Sequence, residues 1–451
     1  MLFHRGASRS VQASLAVVVD APVKERASPP RAAPPEAQRP PRKRSSRPGL
    51  GRVASRLTRR AHRWLAIVTG LLLLIVTLSG VILLYAPDLQ KLFHPSLYDA
   101  TPAAQTISAD RARTAAMMAF PGFTVDRVMK NRGIWAVRGE LATGARPQRE
   151  IHVDPGTGNV LGVADPRGGV LGVLTNLHTC ALSCDDYAGY WGAMAYEVNV
   201  LGNDLRVGEL LLGLIALVLL VLSLSGIVLW WPGIKRMARG FAVRRRKGRY
   251  AINYDVHKLA GMAAIPFLLM WAITGAGFEF KQVDQTWYAL LPGGEPVEQQ
   301  DFESKPTVGR SVSMSQAERI ARDLVPSGRL STVTLPEPGK TESAYTIRFS
   351  EGIDPRQYDA HRGDVRVSVD QYSGRAQITD GDPSVDRPVS QVLWEAWDFP
   401  IHTGTPVNGG LRTPWVLFGL PPLLLAITGM TTWLMRRRKR RTKLAKPAVP
   451  S

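Results

Sequence analysis

Four stretches of the chain are almost wholly apolar: Leu65 to Ala86, Leu210 to Trp231, Leu259 to Phe280 and Trp415 to Met435. Each is about 20 residues long with almost no charge inside, the length an α-helix needs to cross a hydrocarbon layer about 30 Å thick. The pattern predicts transmembrane helices over 62–86, 208–231, 257–280 and 413–435. The long segments between them, 87–207 and 281–412, have a different periodicity. The first holds SADRARTAAMMAF, with helical spacing, then the alternating GIWAVRGE and EIHVDPGTGNVLG. The second holds SMSQAERIARDL, then AYTIRFS and VRVSVDQYSGRAQI. In both, a capping Ser opens an amphipathic helix, strands follow, and a Val-Asp-x2-(Thr/Ser)-Gly turn joins the last two. One unit of helix, outer domain and helix is therefore present twice, and each outer domain is expected to be a small α+β body.

Charge gives the topology. The formal charge of +20 is concentrated in three places. Residues 1–61 carry 14 Lys/Arg against 3 Asp/Glu, the loop 232–250 carries 8 basic and no acidic residues, and Arg436 to Lys446 carry another 8 basic. The outer segments are balanced or acidic, with 11 basic against 12 acidic in 87–207 and 14 against 19 in 281–412. The positive-inside rule puts both termini, the loop 232–256 and the tail 436–451 in the cytoplasm. The basicity tracks topology, so nucleic acid is not expected as a partner. Residues 1–58, rich in Pro, Arg, Ser and Ala, read as a disordered basic arm, and the first apolar segment as a retained anchor.

Candidate chemistry lies in the histidines. His62, His178, His257 and His402 stand before or at the start of the four spans, which close in Ser79-Gly80, Ser225-Gly226, Thr274-Gly275 and Thr428-Gly429. His62-Arg63 and His257-Lys258 are each followed 18 residues after the histidine by the closing Gly, about 27 Å along a helix. His152, in an alternating strand, reads as a surface residue, and His4 and His361 as arm and loop residues. The two cysteines, Cys180 and Cys184, have a spacing that permits a disulfide and is weak as a metal motif. No Walker loop, dinucleotide-binding glycine motif, HExxH or Ser-His-Asp set is present, and no flavin or NADPH domain.

Taken together, AHRW, NLHT, DVHK and PIHTG, the four Ser/Thr-Gly closings and the VDPGTG and VDQYSG segments resemble the PepSY-associated transmembrane family of bacterial inner-membrane proteins, over roughly residues 60–435. The resemblance implies a four-helix transmembrane bundle with two α+β PepSY-like periplasmic domains, over 87–207 (with an insertion) and 281–412. The family includes reductases of ferric siderophores that hold b-type haem among their helices. It implies one or two haem b groups here, with His62 and His257 as axial ligands of an inner haem and His178 and His402 of an outer one. Bis-imidazole ligation suits electron transfer because it leaves no open site. Arg63 and Lys258 are then candidate partners for haem propionates, against a plain role as membrane-edge anchors.

The span after His178 begins about 30 residues later, beyond TCALSCDDYAGYWGAMAYEVNVLGNDLRV, which leaves open whether His178 or His94, in LFHPS, is the outer ligand. Trp230, Trp231, Trp271, Trp415 and Trp433 read as interfacial belts, and Trp394 and Trp397 as shapers of an outer docking surface. The expected activity is reduction of a ferric siderophore or chelate outside the membrane, with electrons from a quinol or a cytoplasmic reductase. The alternative is a non-catalytic PepSY membrane protein that regulates periplasmic peptidases.

Overall fold

The computed structural model of the chain describes residues 50–141, 148–293, 296–309, 311–351, 363–404 and 412–444. The basic arm up to residue 49, the tail from 445, His4 and His361 lie outside the described residues.

Among the described residues, four helical segments are long and apolar enough to cross a membrane. The first, α1 (Leu50–Leu83), is followed by the short α2 (Ala86–Phe93). Then come α3 (Ala109–Ala119), α4 (Gly169–Cys180), α5 (Val207–Trp230) and α6 (Arg249–Gly277). The remaining principal helices are α7 (Lys281–Leu290), α8 (Met314–Leu324), α9 (Asp398–Thr403), α10 (Thr413–Gly419) and α11 (Pro421–Leu444). The expected starts of the first and third spans are corrected. The Arg-rich flank of the first span is a good helix former, so α1 begins at Leu50; α6 begins at Arg249, after Gly248, and His62 and His257 sit inside helices instead of at their openings. The expected span at 413–435 lies within one apolar segment, Thr413–Lys439, in which α10 gives way to α11 at Leu420. Leu420 stays in the right-handed helical region, and Pro421 opens α11, where its missing N–H costs nothing at a first turn. Within the bundle, α1 and α6 each pack against both α5 and α11, so α1 and α6 stand on one diagonal.

The outer segments supply strands β1 (Thr124–Asn131), β2 (Ile134–Glu140), β3 (Gln148–Val153), β4 (Val160–Ala164), β5 (Glu197–Val200), β6 (Asn203–Arg206), β7 (Arg329–Thr334), β8 (Ala344–Ser350), β9 (Val365–Asp370) and β10 (Ala376–Asp380). The expectation of two separate α+β units is also corrected. Strands β1–β4 and β7–β10 are halves of one eight-stranded antiparallel sheet in the order β10-β9-β8-β7-β1-β2-β3-β4. The halves join where Val128 pairs with Val333 and Met129 with Thr332. An open edge of backbone N–H and C=O groups is a liability, and here each half covers the other's.

Helices α3 and α8 lie on one face of this sheet. Their alanines at helical spacing, Ala109, Ala112 and Ala116 on one and Ala317 and Ala321 on the other, let the backbones sit close over Val128, Val137, Val333, Ile347 and Val367. Both helices open on the expected capping serine: Ser108 Oγ accepts from the Arg111 N–H, and Ser313 Oγ from that of Gln316, whose side chain accepts in return from the Ser313 N–H at 2.8 Å.

The two Val-Asp turns fold alike. Asp154 accepts from the N–H of Gly156, the hydroxyl of Thr157 and the N–H of distant Thr101. Asp370 accepts from the N–H groups of Tyr372, Ser373 and distant Lys305. Each carboxylate thus ties its turn to the chain that leads into the domain. His152 is not a surface residue. It is fully buried, its Nδ1 donating to Leu97 O at 3.0 Å beside Tyr98, because α2 and the residues after it cover that part of the sheet.

Burial alone would raise the Asp154 carboxyl, but the hydrogen bonds from Thr101, Gly156 and Thr157 outweigh it and hold the group down at about 2. A carboxyl whose folded value lies below its unfolded one stabilises the fold above the unfolded value near 4, and the benefit is lost as pH falls toward 2. Thermal melts of Asp154→Asn, set against the parent chain from pH 7 down to pH 2, are expected to show a lowered midpoint at pH 7 and a difference that shrinks with acid.

Candidate functional site

Each of the four histidines expected as ligands rests on a different one of the four Ser/Thr-Gly pairs. His62 Nδ1, on α1, is 2.8 Å from Ser225 Oγ on α5. His257 Nδ1, on α6, is 2.9 Å from Thr428 Oγ1 on α11. His178 Nδ1, on α4, lies 2.9 Å from the Val76 carbonyl and 3.3 Å from Ser79 Oγ, both on α1. His402 Nδ1, on α9, is 2.7 Å from Thr274 Oγ1 on α6. The pairing obeys the duplication, since α1 and α6 play the same part in the two halves, as do α4 and α9.

These contacts favour one of the two ring tautomers. Every one of the four hydroxyls also reaches a carbonyl of its own helix: Ser225 to Leu222 at 3.1 Å, Thr428 to Leu424 at 2.6 Å, Ser79 to Val76 at 2.8 Å and Thr274 to Met270 at 2.8 Å. A hydroxyl has one proton, and it is committed to that carbonyl. Toward the imidazole the oxygen can only accept, so Nδ1 donates; at His178 the Val76 carbonyl, an obligate acceptor, forces the same tautomer. Nε2 is left as the unprotonated nitrogen in all four rings, the form in which an imidazole binds a metal. Burial pushes the His402 imidazole down to about 3, with His178 adding to the effect, and burial pushes His178 down as well. Both rings are therefore neutral at physiological pH.

The outer pair meets in space. The rings of His178 and His402 are 6.1 Å apart between centres, with 58° between their planes. A metal–imidazole bond is about 2 Å and the ring centre lies about 1 Å behind the bonded nitrogen, so two imidazoles sharing one iron hold their centres about 6 Å apart. The donor set and the separation fit the expected cofactor. His62 and His257 come from the diagonal helices α1 and α6.

The glycines of the signature stand against the imidazoles. A Cβ on Gly80 would lie 2.5 Å from His178 Cε1, a collision, whereas at Gly226, Gly275 and Gly429 it would lie 3.8, 3.9 and 3.5 Å from the facing ring, an ordinary contact. Only Gly80 is demanded by space.

The apparent insertion after His178 is its support. Cys180 and Cys184 form a disulfide, and Ala181 and Leu182 turn the chain through the left-handed region. Buried Asn176 donates to the carbonyls of Cys184 and Ala188 and accepts from the Cys184 N–H. The β5–β6 hairpin then leads into α5, which starts with Glu209 accepting from the Arg206 N–H at 2.8 Å. His178 thus reaches the bundle on its own short helix. His94 is exposed at the end of α2, and the structure brings His178, not His94, against His402.

Tryptophans expected in interfacial belts hold the partner helix. Trp271 Nε1 donates to His402 O at 2.9 Å and Trp415 Nε1 to Ile401 O at 2.7 Å. Trp394, expected on a docking surface, is buried against Gly277 and beside Trp287. The inner cations differ from each other. Lys258 is engaged by Asp255 at 3.6 Å, which also binds Arg244, whereas Arg63 Nε is a buried donor without an acceptor among the described residues. Arg63 therefore fits a propionate better than Lys258 does. Just past α6, burial and neighbouring Glu209 push the Glu279 carboxyl up to about 8, so it is protonated at neutral pH.

The family model for the PepSY-associated TM region matches residues 59–436. The chain belongs to the PepSY-associated transmembrane family. No curated protein shows significant similarity to it. The matched region of this PepSY-associated chain takes in all four histidines, all four Ser/Thr-Gly pairs and both halves of the sheet.

The tautomer and the steric demand are both checkable. In the purified chain, 15N spectra of labelled histidine at pH 7 are expected to show His178 and His402 neutral and protonated at Nδ1. Gly80→Val is expected to displace the His178 ring and change its resonance, while Gly275→Ala leaves His402 in place; equal responses to the two substitutions would contradict the packing described.

Proposed function

We propose that this PepSY-associated membrane protein is a haem b oxidoreductase that carries electrons across the bacterial inner membrane and reduces ferric siderophores or related ferric chelates on the periplasmic side. The observation that carries the reading is the pair His178 and His402, two neutral imidazoles at iron-sharing separation with Nδ1 taken and Nε2 open. Residues His62 and His257 would hold a second haem nearer the basic side of the bundle, with Arg63 reaching a propionate.

A porphyrin iron ligated by two imidazoles gains and loses one electron without opening a coordination site, the property an electron carrier needs. The chain's own part is positional. Ser79, Val76, Ser225, Thr274 and Thr428 keep Nε2 deprotonated and fix ring orientation. Along α1, about 26 Å separates His62 from the turn that holds His178, so the two pairs lie toward opposite faces of the bundle. The electron donor would be a quinol or a cytoplasmic reductase. At the far end, adding an electron to a chelated ferric ion gives a softer, more weakly held ferrous one, which is the rationale for reduction in iron acquisition.

Orientation rests on two independent features. The basic arm, loop and tail belong inside, and the Cys180–Cys184 disulfide belongs in an oxidising compartment. Both support the reading that the sheet faces the periplasm. The alternative, a regulator of periplasmic peptidases, gives the four matched histidines no task.

The purified chain is expected to give a reduced-minus-oxidised haem b spectrum. His402→Ala and His257→Ala are each expected to remove about half of the pigment at unchanged protein yield, and ferric chelate reduction to fail in both. A colourless preparation, or full pigment in both variants, would contradict the proposal.

A further inference from the structure

The face of the sheet turned away from α3 and α8 differs between the two halves. Strand side chains alternate between faces, so core residues Val333, Ile347 and Val367 put Thr332, Thr346, Arg348, Arg366 and Ser368 on the opposite side. In the first half that side is covered by Leu97 and Tyr98, which pack against Gly162 and His152. In the second half it opens into a cavity of about 370 Å³, within the size of small-molecule sites.

Among the described residues, three guanidiniums line this cavity against one carboxylate, Asp301: Arg127, Arg366 and Arg348, the last donating to Gly363 O at 3.5 Å. Buried polar atoms normally find partners, yet Arg127 Nε, Arg366 Nε and Thr332 Oγ1 are buried with none among the described residues. Arg366 does reach Gln299 Oε1 at 3.1 Å and Asp380 at 3.7 Å through its other nitrogens. Thr332 is only 2 % exposed, and its side chain borders the cavity. Arg127 also borders a second cavity, where Arg167 Nε and Gln148 Oε1 are likewise buried without partners. An excess of guanidinium over carboxylate, with donors waiting for acceptors, is the recognition chemistry of oxyanions.

We propose that this cavity binds a small molecule carrying several carboxylate- or phosphate-type oxygens, held by Arg127, Arg348 and Arg366 with Thr332 Oγ1 as a neutral donor. The site goes beyond the electron-transfer reading and needs no haem, so haem loss leaves it intact.

Calorimetric titration of the full chain in detergent with citrate and, separately, with inorganic phosphate tests the proposal. Saturable binding of at least one anion is expected, weakened by added salt; citrate binding tighter than phosphate marks the carboxylate type, and the reverse order the phosphate type. Loss of one charged contact in Arg127→Gln is expected to weaken binding about 10-fold or more. The near-isosteric Thr332→Val, which keeps the core and the charge, is expected to weaken it by a smaller factor. No saturable binding of either anion to the parent chain, or binding unchanged in both variants, would overturn the proposal.

Discussion

An imidazole buried among packed helices must satisfy its N–H, because no water reaches it there. In this chain four imidazoles meet that demand in the same way, on a serine or threonine whose own proton is already spent on its helix or, at His178, on the neighbouring carbonyl as well. Because the hydroxyl can only accept, the ring is locked as one tautomer and one orientation. Everything else about the candidate site follows from that lock. Nε2 is the free nitrogen, the ring plane is fixed against a helix, and a glycine clears the way where the approach is closest. A histidine of this kind is costly in a membrane and is kept for a task.

The duplication turns one such device into four. Each half contributes a histidine within its first long helix and another on a short helix outside, and each outer histidine bonds back to the first helix of its own half. The inner ones bond to the second helix, Ser225 for His62 and Thr428 for His257. The outer histidines, from different halves, then converge at 6.1 Å. Outside the bundle the same duplication produces one continuous sheet, pinned by two equivalent aspartate turns and closed edge to edge at β1 and β7. The halves have diverged where chemistry differs: the first covers the free face of its strands, and the second leaves an arginine-lined cavity there.

Much of this was legible in the sequence, and the misses have physical causes. The spans were visible because about 20 uncharged apolar residues have few other uses. The histidines and the Ser/Thr-Gly closings were visible as two separate patterns. That they form pairs was not, because each pair joins different helices, and sequence spacing carries no information about which helices touch. The role of the hydroxyl had a signal all along, in that all four glycines are preceded by Ser or Thr and never by Ala. His178 is remote from its span only along the chain; a disulfide, Asn176 and a left-handed turn fold the intervening residues beside it. The buried state of His152 and Trp394 depends on which elements cover them, a tertiary fact, and the joining of two sheets into one depends on strands far apart in the chain.

The central claim is that imidazoles from the two halves share one iron through Nε2. Near-infrared magnetic circular dichroism of the oxidised, purified chain tests it most directly, since the charge-transfer band reports the axial ligands of low-spin haem. The account predicts bis-imidazole ligation, lost from the outer site in His402→Ala. A high-spin or mixed-ligand spectrum, or one unchanged when His178 and His402 are both replaced by Ala, would contradict it.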